Sequence, residues 1–191
     1  MTSRVAGPRL VALIGLVLAS LTVAACSSVN DSVTGVDYPL RHASIIRDQA
    51  AKKGLDPALI AAVIFAESHF RPGQVSSAGA EGLMQITPET ARDIARHSGG
   101  TAFTVADLAT PKVNISYGSY LLRDLIARYN GNIVAALAAY NAGPGNVDRW
   151  GGSALTVEQI PYAETKAYVK EVLNAQDEYR RRYASELGPA P

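Results

Sequence analysis

Of the groups in this 191-residue chain that could do chemistry, the carboxyl of Glu67 is the best placed, near the end of residues 56–70, DPALIAAVIFAESHF. Ile60, Ile64 and Glu67 recur at i, i+4 and i+7, so on a helix the acid continues a stripe of hydrocarbon. A carboxyl in apolar surroundings resists ionisation and keeps its proton nearer neutral pH, which is what a general acid needs. The same spacing also allows Glu67 to face solvent from the last turn. Glu81 and Asp148 are the other acids considered, but one lies in a glycine-rich stretch and the other in a turn, where water solvates them. His42, His69 and His97 show no ligand spacing such as H-E-x-x-H, so no metal and no cofactor are expected. Cys26 is the only cysteine and has no disulfide partner within the chain.

The elements that must position Glu67 are legible as a series of helices with marked starts and stops. Asp56-Pro57 reads as an N-cap and first helical position, because the cap oxygen satisfies free N–H groups and proline lacks the one that would be orphaned. Before it, residues 40–53 carry Ile45, Ile46 and Ala50 at helical spacing, with Gly54 as the stop. After Phe70 the run RPGQVSSAGAEGLMQI fits no helical template and predicts an irregular loop with a small β-hairpin. Thr87-Pro88-Glu89 opens a further helix to about residue 96. Thr104 and Asp107 bracket a short capped turn, and Thr110-Pro111 begins a long helix through Tyr129. Asn132 caps the run IVAALAAY, apolar enough to be buried on nearly every side. The last helix is expected over about 164–183, with Arg180, Arg181 and Arg182 forming a solvated face. Six or so helices with short connections and no internal repeat predict one mainly α domain.

Hydrophobic residues make up 48% of the chain, enough for a real core. Residues 1–25 carry Arg4 and Arg9 and no acid, followed by an uncharged apolar run, the layout of a secretory signal. Val23-Ala24-Ala25-Cys26 resembles the lipobox of bacterial lipoproteins, in which the cysteine is lipidated; a retained transmembrane anchor is the alternative. The expected divisions are therefore a signal peptide over 1–25, lipidated Cys26 and a polar tether over 26–37, the domain over 38–185, and a disordered tail over 186–191. A flexible tether of about eleven residues reaches on the order of 20 Å. Both readings of the leader place the domain outside the cytoplasm as a membrane-anchored protein. Without residues 1–25 the chain keeps 16 basic and 17 acidic residues, which offers no concentrated basic surface for nucleic acid.

Four pieces then line up: Glu67-Ser68; Ser76 to Gln85 as S-x-x-G-A-x-G-L-M-Q; Ala139-Tyr140-Asn141-Ala142-Gly143-Pro144-Gly145; and Glu164-Thr165-Lys166-Ala167-Tyr168-Val169. In that order and spacing the chain resembles the catalytic domain of the soluble lytic transglycosylases, enzymes of the lysozyme-like fold that cut bacterial peptidoglycan. The resemblance covers about residues 40–178. It implies that Glu67 is the single catalytic acid/base and that Ser76 helps position the carboxyl or the sugar. It further implies that Met84 and Gln85 line the substrate groove, that Tyr140 and Asn141 stand beside the acid, and that Tyr168 and Glu164 come from the last helix. Each has a structural alternative: Asn141 and Gly143 suit a helix C-cap, Gly79 and Gly82 suit turns, Tyr140 and Tyr168 suit a core, and Met84 suits simple packing. Lys166 stands where the family more often has arginine, Thr87 where many members have a second methionine, and Leu121 where a tyrosine is usual.

The implied reaction is cleavage of the β-1,4 bond between N-acetylmuramic acid and N-acetylglucosamine, leaving 1,6-anhydro ends, with peptidoglycan strands as substrate and a monomeric enzyme. A muramidase of goose-lysozyme type, which admits water, and a non-catalytic glycan-binding lipoprotein are the alternatives.

Overall fold

The computed structural model describes residues 35–98 and 104–190. The signal segment, Cys26 and most of the tether lie outside them. Chain contacts gather residues from Tyr38 onward into one compact unit, and the fold is that unit.

Helix α1 (Ala43–Lys53) begins three residues later than its spacing predicts. Pro39 cannot donate to a helix, and the carbonyls of Tyr38 and Pro39 are instead taken by the hydroxyls of Tyr183 at 2.7 Å and Tyr179 at 2.8 Å. Gly54, at φ 63°, stops α1 in the left-handed conformation that glycine adopts without penalty. Helix α2 (Pro57–Ser68) starts as expected, with Asp56 Oδ1 accepting the Ala58 N–H at 2.8 Å. From Pro57 through Phe65 every residue of α2 is buried, so it is the central helix of the core.

His69 and Phe70 both turn left-handed (φ 51° and 57°) and start a loop over residues 71–86. The expected hairpin is reduced to two isolated antiparallel bridges, Val75 with Glu81 and Glu81 with Ile86. Left-handed residues at Gly79, Gly82 and Gln85 recur too often for a ladder to extend. Helix α3 (Pro88–Ser98) follows, then a 3₁₀ turn (Val105–Ala109) in which Thr104 and Asp107 form a capping box. Next come α4 (Pro111–Arg128), α5 (Ile133–Ala142), α6 (Pro144–Trp150), a second 3₁₀ turn (Gly152–Ala154) and α7 (Ala163–Arg182). The tail is not disordered from residue 186 as expected: α8 (Ala184–Leu187) forms one more turn, because Leu187 has an apolar site to fill and is 3% exposed.

Helix α2 packs most extensively against α7, and two sets of bonds fix their relative direction. At the start of α2, Asp56 Oδ2 accepts Gln176 Nε2 at 2.8 Å and Arg180 Nε at 2.9 Å. At its end, Glu67 meets Tyr168, so the pair is antiparallel. The other side of the core is α5, buried from Ala135 to Ala139 and packed on α4, α6 and α7. Small alanines there let helix backbones approach closely, as apolar all-round helices in a core must.

Two glycines mark where the loop and α4 touch. A Cβ at Gly82, already left-handed at φ 78°, would lie 2.7 Å from Asn114 Cγ and from the Leu108 carbonyl. A Cβ at Gly118, inside α4, would lie 2.6 Å from Met84 Cβ. Alanine is the better helix former by about 1 kcal/mol, yet Gly118→Ala is expected to destabilise the fold by roughly 1–3 kcal/mol through overpacking against Met84. Urea unfolding measures it, and a variant as stable as the parent would show that Met84 has room to move.

Candidate active site

Glu67 occupies the last turn of α2, one residue from its end, and is half-buried. Its position is set from both sides of the chain. The next residue, Ser68, is 1% exposed and its hydroxyl donates to the Leu83 carbonyl at 2.8 Å, tying the helix end to the loop. On the far side the Tyr168 hydroxyl donates to Glu67 Oε1 at 2.7 Å. Burial pushes the Glu67 carboxyl up to about 7; the negative charge of Glu171 pushes in the same direction, and the Tyr168 hydrogen bond opposes both by favouring the carboxylate. Burial and the neighbouring Glu67 push the phenols of Tyr140 and Tyr168 well above their ordinary value, so both remain neutral donors.

Tyr140 stands on α5 and its hydroxyl donates to the Met84 carbonyl at 2.8 Å. Beside it, Asn141 Oδ1 accepts the Thr165 hydroxyl at 2.8 Å, which joins the end of α5 to the first turn of α7. Thr165 is 3% exposed. The loop is held from α4 by Asn114: its Oδ1 accepts the Met84 N–H at 2.7 Å, and its Nδ2 donates to the carbonyls of Glu81 at 2.8 Å and Leu108 at 3.1 Å.

The structure brings Glu67, Tyr168 and Tyr140 together, with Asn141 one residue further on. Met84, expected to line the groove, is fully buried and packed on Gly118; its link to the site is the carbonyl that receives the Tyr140 hydroxyl. Gln85 is half-buried and left-handed, and its Nε2 donates back to the carbonyls of Gln74 at 3.1 Å and Gly82 at 2.8 Å, closing its own loop. Ser76 also acts locally: its Oγ accepts the Ala80 N–H at 3.0 Å. Glu164 is exposed in the first turn of α7.

Sequence reasoning passed over Thr165 and Glu171. Thr165 lies inside the Glu-Thr-Lys-Ala-Tyr run and three residues before Tyr168, so helical spacing put it within reach of the same wall. Glu164, Tyr168 and Glu171 fall at i, i+4 and i+7 and share one face of α7; that spacing was the signal for Glu171.

Asp148 is committed elsewhere. It accepts Arg128 Nη2 at 2.7 Å and the Tyr129 hydroxyl at 3.0 Å, and these donors hold its carboxyl below the usual range. Glu81 has its backbone bridged to Val75 and Ile86. Among the described residues no group of three or more His, Cys, Asp or Glu stands close enough to hold a metal ion. The site is therefore one half-buried carboxyl near its protonation midpoint at neutral pH, beside two neutral phenols and within reach of the exposed Glu171 charge. Such a group can give a proton to a leaving oxygen and afterwards accept one.

The raised pKa carries a stability consequence. In the unfolded chain Glu67 titrates near 4.5 and in the folded chain near 7. The proton thus stabilises the fold fully below about pH 4.5, and that contribution is lost as pH rises through about 7. Glu67→Gln, which is neutral throughout, is expected to be more stable than the parent at pH 8, by up to about 3 kcal/mol, with the difference shrinking toward pH 5. Urea unfolding at the two pH values measures it, and an equal stability difference at both would show that the carboxyl is not held dry.

Comparison with known proteins gives this arrangement a lineage. Residues 44–162 match the family described as the transglycosylase SLT domain. The chain is 34% identical over 159 residues to the soluble lytic murein transglycosylase of Salmonella typhimurium, an alignment covering 76% of this chain and 24% of that protein. Its fold superimposes on an inactive mutant of the lytic transglycosylase Slt from Pseudomonas aeruginosa with a TM-score of 0.72 at 35% identity, covering 76% of this chain and 25% of that one. The 70 kDa soluble lytic transglycosylase of Escherichia coli gives a TM-score of 0.72 at 32% identity, covering 81% and 28%. The chain thus spans about a quarter of the length of the relatives it matches. A match over residues 44–162 takes in Glu67, the glycine-rich loop, the Tyr140-Asn141 pair and the helices between them, and the chain belongs to the transglycosylase SLT domain family.

Proposed function

We propose that the protein is a lytic transglycosylase that cuts the β-1,4 bond between N-acetylmuramic acid and N-acetylglucosamine in peptidoglycan and leaves 1,6-anhydro-N-acetylmuramyl ends. The observation that carries the reading is the Glu67 carboxyl, half-buried, raised to about 7 and bonded to Tyr168. The names of the relatives point to the same substrate.

A glycosidase with two working carboxylates holds them about 5 Å apart for a covalent route, or wider to admit a water. Here Asp148 is tied to Arg128 and Tyr129, and Glu171, whose charge reaches Glu67, is exposed on α7, so a single-carboxyl scheme fits best. Protonated Glu67 gives its proton to the glycosidic oxygen as the C1–O bond breaks, and the substrate's own N-acetyl group stabilises the positive centre left at C1. The Glu67 carboxylate then takes the proton of the muramic acid C6 hydroxyl, whose oxygen bonds to C1. The two proton transfers balance and no water is consumed. Tyr140, Asn141, Gln85, Ser76, Glu164 and Tyr168 act in this scheme by shaping and orienting, a contribution of geometry more than of charge.

Two measurements test the reading. Digestion of purified peptidoglycan followed by mass spectrometry is expected to give ends lighter by one water than hydrolysed ends; fully hydrated ends would assign a muramidase instead, and no cleavage a binding protein. Glu67→Gln is expected to lower turnover by more than about 100-fold while glycan strands still bind, and near-normal turnover would remove Glu67 from the mechanism.

We also propose that Cys26 is lipidated and anchors the domain to a membrane. The support is the apolar, acid-free leader that ends at the lone cysteine. In fractionated cells, Cys26→Ser is expected to move the protein out of the membrane fraction. A protein that stays there would favour a retained hydrophobic span.

A further inference from the structure

We propose that Asn114 is a positioning residue of this site, acting on the reaction through the Met84 peptide and without touching the glycan. The inference rests on the reading of Glu67 and its neighbours given above. Between the end of α2 and the start of α3 the loop runs past three helices, and side chains take its backbone groups one after another. Ser68 of α2 donates to the Leu83 carbonyl at 2.8 Å, Asn114 of α4 accepts the Met84 N–H at 2.7 Å, and Tyr140 of α5 donates to the Met84 carbonyl at 2.8 Å. The Met84 main chain is thus gripped at both its N–H and its carbonyl, on the two peptide groups that flank the residue. One of the two grips is the same tyrosine whose phenol is perturbed by the Glu67 charge.

Asn114 is an unusual residue for its place. It is 1% exposed and lies on the buried face of α4 with Gly118 and Leu122, at i, i+4 and i+8. Asparagine is a poor helix former, and burying an amide is costly unless its donors and acceptor are all used. Here they are used, in three bonds that all run to main-chain atoms of the loop or of the turn before α4: Met84 N, Glu81 O and Leu108 O. A hydrocarbon at this position would pack; only an amide of this length can accept from Met84 while donating to Glu81. Gly82 gives it the space, since a side chain there would strike Asn114 Cγ at 2.7 Å. The loop conformation that carries Gln85, left-handed at φ 47°, is therefore set by a residue buried beneath the loop, 1% exposed.

Two substitutions separate positioning from plain stabilisation. Asn114→Ala removes the acceptor and both donors, while Asn114→Gln keeps all three one methylene further from the helix. Hydrogen exchange is followed in peptides covering residues 82–86 and, as reference, 57–68, together with kcat and KM on peptidoglycan strands well below the unfolding temperature. Asn114→Ala is expected to speed exchange of 82–86 by at least about 10-fold with 57–68 unchanged, and to lower kcat/KM by about 10-fold or more, because small displacements in a site are costly. Asn114→Gln is expected to recover part of both losses. Should Asn114→Ala fail to fold, Asn114→Gln against the parent makes the same comparison, with smaller effects in the same direction. Unchanged exchange in 82–86 overturns the proposal. So does faster exchange with kcat and KM at parental values, which would make Asn114 a stabilising residue only. A parental protein without turnover overturns the function proposed above and this inference with it, and is told apart from failure of the grip alone by an exchange result that still changes in 82–86.

Discussion

The hydrogen bond of 2.7 Å between the Tyr168 hydroxyl and Glu67 closes the most extensive helix pairing among the described residues at the end where the candidate chemistry lies. A carboxyl at the tip of a helix buried from Pro57 to Phe65 has lost much of its water, and one phenol supplies part of what water would. For that bond to exist, α2 and α7 must run antiparallel in a fixed register. The register is set a helix-length away, where Asp56 caps α2 and also receives Gln176 and Arg180. One acidic side chain thus both starts the helix and aligns it, and its effect is felt at the opposite end.

Around this pair the remaining elements divide into a frame and a loop with different physics. The frame is helix on helix, with α5 contributing a core of small residues and α4 lying across it. The loop has almost no ladder of its own and takes its shape from side chains that reach into it, from Ser68, Asn114 and Tyr140. Left-handed residues at Gly79, Gly82 and Gln85 make the loop compact enough to fit under those side chains. The fully buried Met84 against Gly118 locks it by packing as well as by hydrogen bonds. A loop held in this way is precise without being a regular element, which suits a wall that, in the proposed function, must match a sugar.

Much of this was legible in the residues because local chemistry decides it. Asp56-Pro57, Asn132 and the Thr104/Asp107 box cap what they were expected to cap. Gly54 ends its helix by the same local rule. The acid at residue 67 was suspect because an ionisable group on a hydrocarbon stripe is costly, and its raised pKa follows from that cost. What failed to show was decided by distant partners. The start of α1 is delayed by Tyr179 of α7 and Tyr183 just beyond it, which bond to Pro39 and Tyr38 about 140 positions away in sequence. Met84 was assigned to the groove by its place in a motif, and only the position of Gly118 reveals that its side chain is core. The turn at Leu187 forms because α1, α7 and the chain end meet there, something no window of sequence contains. Cys26 and the leader are readable in sequence alone.

A single carboxyl asked to be acid and then base must lose and regain a proton within one turnover, so its affinity for the proton should be neither strong nor weak at working pH. Burial and the charge of Glu171 pull Glu67 toward the acid, while Tyr168 pulls it toward the carboxylate, and the balance falls at about 7. Each influence comes from a different structural source: burial from the α2 core, the phenol and the second carboxylate from one face of α7. Glu164, Tyr168 and Glu171 share that face by helical spacing alone. The same helix therefore supplies both a group that stabilises the ionised form and one that destabilises it, three residues apart. In the proposed reaction the sugar would complete the set: its arrival displaces remaining water and favours the protonated acid, and departure of the leaving oxygen creates the carboxylate that Tyr168 is already placed to receive.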